Sequence, residues 1–150
     1  MYSGWWCCCY SLNTVRKDNL PLPLFIHRDD IEYEIRNRET GIVFLNGFNV
    51  WHKGFEVNFL GTNAYYDVRN NLIFAALHEP DMPRIQMWKW ISKFIITAVL
   101  KMRYEEAYFS WRGVIDFMKG PEWLMGTDAE QLNNQLRKHL PDTEPMEVDE

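Results

Sequence analysis

The sequence predicts an α/β fold, a domain of mixed class with a β-hairpin and a helical extension, and three observations carry that expectation. Short runs of strand-forming residues fill the first third of the chain, an Asn46-Gly47 dipeptide separates two of them, and from Asp81 onward apolar residues recur at helical spacing. At 150 residues, 47% hydrophobic and 15% aromatic, the chain holds enough apolar surface for one core and too little length for two ordinary enzyme domains. Three parts are expected: residues 1–80 as the mixed portion, 81–140 as the helical extension, and 141–150 as an acidic, disordered tail.

Trp5-Trp6-Cys7-Cys8-Cys9-Tyr10 is aromatic and apolar between Ser3-Gly4 and Ser11, which suits a strand that is buried or floors a cleft. Leu20-Pro21-Leu22-Pro23 forces extended backbone, because each proline excludes helix from the residue before it, and Leu24-Phe25-Ile26 continues it as a short strand. A helix is expected from Asp29. Asp29 with Glu32 has the form of a capping box, Ile31 and Ile35 form an apolar pair, and Glu32 with Arg36 and Glu34 with Arg38 are i, i+4 ion pairs, before a stop at Gly41.

Residues 42–45 and 48–52 flank Asn46-Gly47, a strong two-residue hairpin signal. In the second run a period of two puts Phe48, Val50 and His52 on one face. A helix is expected from about Asn63 to Leu77, and another from Asp81-Pro83, on which Ile85, Trp88, Ile95, Val99 and Met102 recur while Trp90, Phe94 and Leu100 widen the apolar surface. Apolar on more than one face, this helix is expected to be buried on two sides, packed on a partner, or laid on a membrane. Tyr104, Tyr108, Trp111, Ile115 and Met118 stripe the next helix, which Gly120-Pro121 stops. Thr127 and Glu130 then suggest a capping box before Leu132, Leu136 and Leu140.

The net charge is −5, from 16 basic and 21 acidic residues, and the last ten positions hold five of the acids. The body is therefore neutral and lacks the positive field that draws a protein to nucleic acid. No apolar run approaches the ~20 residues that span a bilayer, and the N-terminus lacks the basic start of a secretory signal, so the cytoplasm is the expected compartment. Three consecutive cysteines point to alternate faces of an extended run and do not jointly chelate an ion.

Chemistry has four candidate places. Asp29 and Asp30 sit between a strand end and a helix start; one can cap the helix while the other accepts a proton from an attacking hydroxyl, or both can merely cap. His52 can ligate a divalent metal or simply be solvated. Trp5 and Trp6 can stack on a sugar ring or pack in the core. Arg69 can pair with a phosphate or with Asp67. The Trp and Tyr residues of the late helices read as core or interface.

Their order along the chain is more specific than any one of them. Gly4-Trp5-Trp6-Cys7-Cys8-Cys9, then Leu22-Pro23-Leu24-Phe25-Ile26, Asp29-Asp30-Ile31-Glu32-Tyr33 with Arg36, Asn46-Gly47 to Val50-Trp51-His52, and Tyr65-Tyr66 to Arg69-Asn70-Asn71 together resemble the C-terminal half of the catalytic domain of family-two glycosyltransferases. The galactofuranosyltransferase-like branch is the nearest, with bacterial rhamnosyltransferases related, over residues 4 to about 78. The resemblance implies a GT-A-type fold for 1–80 and inverting transfer of a sugar from a nucleotide-sugar donor to a glycan or lipid-linked acceptor, in cell wall or polysaccharide biosynthesis. It implies Asp30 as general base with Asp29 beside it, Trp5 and Trp6 at the acceptor, Arg69 at the donor phosphate, and His52 as a ligand to Mn²⁺ or Mg²⁺. The family's Asp-x-Asp metal motif has no counterpart in this chain, so the nucleotide-binding half is expected upstream. The rival expectation is a non-catalytic module that docks a partner or a membrane surface through helix 85–102, with peripheral contact at the inner face of the membrane and a homo-oligomer both left open.

Overall fold

The structure, a computed structural model, describes residues 5, 7–47, 50–51 and 61–139. In chain order they form α1 (Asp29–Arg36), a 3₁₀ turn (Arg38–Thr40), α2 (Thr62–His78), α3 (Arg84–Leu100), α4 (Tyr104–Met118), α5 (Pro121–Gly126) and α6 (Ala129–Arg137). The periodicity located α1 to α4 and α6 to within a few residues. The caps differ. Arg28, not Asp29, is the N-cap of α1 and has left-handed backbone, so no capping box forms there. In α6 the cap is Asp128, which accepts from the N–H groups of Glu130 and Gln131 at 3.0 Å, one residue beyond the expected Thr127. The Gly120-Pro121 break both ends α4 and opens α5, because proline is well tolerated in a first helical turn.

The α/β expectation is overturned. Among the described residues there is no strand and no sheet, and the architecture is helical. The expected β-hairpin does not form although its turn does: Gly47 lies at φ 91°, but Asn46 stays out of the left-handed region. A hairpin turn of type I′ needs both central residues at positive φ, a condition that this turn does not meet. Val43, Phe44 and Leu45 consequently face solvent, while Phe48, Asn49 and His52 lie outside the described residues. The run at 24–26 fails as a strand for another reason. The Ile26 N–H donates to the Leu24 carbonyl at 3.0 Å across Phe25, whose φ is 71°, and this γ-turn reverses the chain. A helix satisfies its own backbone, whereas an extended run becomes a strand only beside another run at the right spacing.

The core is organised around α2. Ala64, Tyr65 and Tyr66 pack with Phe109, Leu132 and Leu136, while Val68 and Leu72 pack with Ile91 and Val114. Two-sided burial, which the apolar content of 85–102 suggested for α3, thus belongs to α2. Of α3 only Ile91 and Ala98 are buried. The stripe Tyr104, Tyr108, Trp111, Ile115 and Met118 of α4 is likewise exposed, because α4 turns Ala107, Ser110 and Gly113 inward. Small side chains at a spacing of three let α2 and α4 approach closely.

Gly113 marks the closest point. A Cβ there would lie 2.6 Å from the Tyr65 carbonyl oxygen and 3.2 Å from the Arg69 nitrogen, both backbone atoms held within α2. Alanine is the better helix former by about 1 kcal/mol, but overpacking a rigid contact costs about 1–3 kcal/mol and acts against it. Gly113→Ala is therefore expected to lower the urea midpoint of unfolding. An unchanged or raised midpoint would contradict this close approach.

Candidate functional site

The proline-rich segment enters a turn in which Phe25, His27 and Arg28 all have φ between 64° and 73°. Left-handed backbone costs a non-glycine residue roughly 1–2 kcal/mol, so three in four positions need an opposing force. It comes from α2. Asn70, fully buried, directs its amide nitrogen at the carbonyls of Leu24 (3.2 Å), Ile26 (2.6 Å) and His27 (2.8 Å). Arg69 adds a bond from Nη2 to the Leu24 carbonyl at 2.8 Å and donates Nε–H to the Asn70 side-chain oxygen at 2.9 Å. Phe25 leans on Tyr66, with ring centroids 5.7 Å apart.

This turn sets the start of α1 and hence the direction of Asp29 and Asp30, both half-buried in its first turn. An acidic first turn matches the positive end of the helix dipole. Asp30 accepts the Ile31 N–H on Oδ1 at 2.7 Å, and no cation pairs with it among the described residues. Asp30, Glu34 and Asn37 fall at i, i+4 and i+7, on one stripe of α1. Glu34 and Asn37 line a cleft of about 560 Å³ whose other walls are residues 7–11 and 40–45. Asp30 does not line that cleft; it continues the stripe beyond it, toward the strained turn.

Trp5 stands against the same helix. Its ring meets Tyr33 edge-on at 6.1 Å and Tyr10 at 6.4 Å, and its Nε1–H donates to the Tyr10 hydroxyl at 2.6 Å. Tyr10 in turn donates to Glu34 at 3.2 Å. At 37% exposure Trp5 keeps part of its surface open. Trp6 and His52 lie outside the described residues. Among the described residues no three His, Cys, Asp or Glu side chains are grouped so as to hold a metal ion, so they do not by themselves make the ion site that the resemblance implies.

Arg69 is almost wholly buried, and its guanidinium lies over the rings of Tyr65 and Tyr66 at 5.2 Å each. It does not pair with Asp67, which faces His27 instead, Oδ1 to Nδ1 at 2.5 Å. That hydrogen bond raises the His27 pKa above the ordinary imidazole value, against partial burial that lowers it. Glu32, expected as an i, i+4 partner of Arg36, pairs bidentately with it at 3.0 Å from a buried position, with His78 at 3.3 Å. Asn70 entered the sequence reading only within the run Tyr65 to Asn71, and its clamping role was missed. Its one signal was chemical: asparagine is poorly suited to a helix interior unless its side chain has work elsewhere.

No protein-family model matches the chain, and no solved structure matches it. The galactofuranosyltransferase GlfT2 of Mycobacterium tuberculosis is 31% identical over 151 residues, and GlfT2 of Mycolicibacterium smegmatis is 32% identical over 147 residues. Each alignment takes in 94% of this chain and 23% of the relative, so the chain spans about a quarter of the length of the curated relatives it matches. Almost all of the chain is thus similar to one segment of these transferases, the helices after residue 80 included.

Two outcomes test the architecture of the site. Asn70→Ala leaves carbonyls of a strained turn without a donor and is expected to destabilise the fold by about 1–3 kcal/mol; a loss below about 0.5 kcal/mol, measured by urea titration, would show that the turn holds without its clamp. A group whose pKa is raised on folding stabilises fully below its unfolded value, near 6.5 for histidine, and loses that contribution as pH rises through the folded value. The Tm advantage of the unaltered chain over His27→Asn should therefore be greatest below about pH 6.5 and shrink above it, and an advantage that grows with pH would refute the pairing with Asp67.

Proposed function

We propose that this chain is the acceptor-side portion of a galactofuranosyltransferase-like enzyme, with Asp30 as the general base of an inverting sugar transfer. Similarity to GlfT2 along 94% of the chain supports the reaction class. The observation that carries the role of Asp30 is its setting: a carboxylate with one oxygen on a backbone N–H and no cation paired to it among the described residues, held at a helix start by a strained, clamped turn. A general base needs a lone pair left unclaimed and a fixed direction. The turn and Asn70 supply the second.

In this reading the acceptor hydroxyl lies within hydrogen-bond reach of Asp30. As the oxygen attacks the anomeric carbon, its proton passes to the carboxylate, while the bond from that carbon to the donor's phosphate oxygen breaks and its electron pair leaves with the nucleotide diphosphate. Attack from the face opposite the leaving group inverts the centre. Asp29 stands beside the base, Trp5 and Trp6 offer aromatic surface to the acceptor sugar, and Arg69 acts by holding the turn through Leu24. His52 would be this chain's contribution to a Mn²⁺ or Mg²⁺ site, and such an ion would offset charge developing on the leaving diphosphate.

In a full-length transferase carrying this segment, Asp30→Asn should lower turnover by about 10²–10⁴-fold while leaving nucleotide-sugar affinity within about twofold. Parallel loss of affinity and turnover, seen by calorimetry beside a transfer assay, would remove Asp30 from the role of base.

A further inference from the structure

The three cysteines of the chain stand together, and no step of the proposed transfer uses them. Cys7, Cys8 and Cys9 all line the cleft of about 560 Å³, as do Glu34 and Asn37 of α1. Exposure alternates along the run: Cys7 and Cys9 are exposed, Cys8 and Tyr10 half-buried. Such alternation marks extended backbone, in which residues two apart share a face. Cys7 and Cys9 therefore turn the same way, as free thiols open to solvent.

The ends of this run are tied. The Trp5 indole N–H donates to the Tyr10 hydroxyl at 2.6 Å, and Tyr10 donates to Glu34 at 3.2 Å. Both rings also meet Tyr33 edge-on. Residues 5–10 thus form an arch whose feet stand on α1 and whose span carries the thiols. An exposed thiol with a second thiol in reach is the arrangement of a redox-responsive cysteine, because the second resolves whatever adduct the first acquires. Distance selects the pair. Adjacent Cα atoms lie about 3.8 Å apart, too close for the roughly 4.4–6.8 Å that a disulfide bridges without distortion. Two residues of extended chain span about 6.7 Å, at the upper end of that range.

We propose that Cys7 and Cys9 form a reversible thiol–disulfide switch in the wall of the cleft, oxidised by a low-molecular-weight disulfide. The thiolate of one attacks a sulfur of the small disulfide, whose S–S bond breaks. One small thiol leaves and a mixed disulfide remains in the cleft. The other thiolate then attacks the protein sulfur of that adduct; the Cys7–Cys9 bond forms, and the second small thiol leaves with the electron pair. Two electrons pass from the protein to the small disulfide, and the two cysteine protons end on the two thiols released. The new bond draws in the arch and shifts Trp5 against Tyr33, so that oxidation reshapes the cleft. A small, exposed ring of this kind is readily reduced, which makes the change reversible. Its consequence for catalysis, slower transfer, rests on the acceptor-side reading; the exchange chemistry does not.

Incubation of the 150-residue chain with oxidised glutathione at about pH 8, since the thiolate is the attacking species, tests the switch when followed by alkylation and peptide mass spectrometry. The expected product is a monomer with a Cys7–Cys9 disulfide and an alkylated Cys8, reversed by dithiothreitol. Cys8→Ser should close the same bond, whereas Cys7→Ser and Cys9→Ser should stop at the mixed disulfide. In a full-length transferase carrying this segment, closure should slow transfer about tenfold or more, as a small misplacement of a substrate-positioning group does, and dithiothreitol should restore it. Cys7→Ser with Cys9→Ser should remove the response to oxidant. Thiols left unmodified, a mixed disulfide that never closes, a bond that needs Cys8, or intermolecular disulfides alone would overturn the proposal. So would a transfer rate indifferent to closure, or inhibition that persists in the double variant. Absence of transfer by the reduced enzyme would count instead against the sugar-transfer reading, and the exchange on the 150-residue chain would still decide the switch.

Discussion

The structure depends on the bonds that Asn70 and Arg69 make to the carbonyls of the turn before α1. Three non-glycine residues in left-handed backbone would not hold such a turn unaided. Because these donors come from the central helix, the turn is fixed to the element around which both core clusters pack. The position of Asp30 is then set by α2, forty residues farther along the chain. The aspartate pair thus stands in the first turn of a helix whose start is fixed by a turn under strain.

That arrangement places demands on α2. It must present Asn70 and Arg69 to the turn, Asp67 to His27, and Tyr65 to Asp116 at 2.9 Å, while its apolar positions meet two clusters of core residues. A helix engaged on so many sides needs neighbours that come close, and α4 does so through alanine, serine and glycine. Phe109 alone among the large aromatic side chains of α4 is fully buried against α2, while Tyr104, Tyr108 and Trp111 lie on the outer face. The exposed aromatic surface of α4 thus accompanies its close approach to α2.

The sequence was read well where structure is local. Helix positions were legible because a 3.6-residue period marks them and each helix satisfies its own backbone, and the Glu32–Arg36 pair was legible for the same reason. The strands were not. Residues 24–26 and 42–45 have strand composition, but whether such a run pairs depends on what lies beside it, and Asn46-Gly47 forms a turn without the backbone that a hairpin needs. Within the candidate site the aspartate pair and Trp5 could be named from residue type and order, whereas the clamping role of Asn70 could not, because its partners are carbonyls and carbonyls carry no sequence signature.

The sequence by itself determined the helices, the charge balance and the ordered motifs shared with a class of sugar transferases, since all of these are properties of neighbours along the chain. Only the tertiary structure decided which apolar helix is surrounded and which is exposed, that Arg69 turns inward to a turn, and that a strained backbone aims Asp30. Burial and long-range hydrogen bonding belong to pairs of segments. They depend on how closely two helices approach, and here one missing Cβ at Gly113 permits an approach that periodicity does not encode.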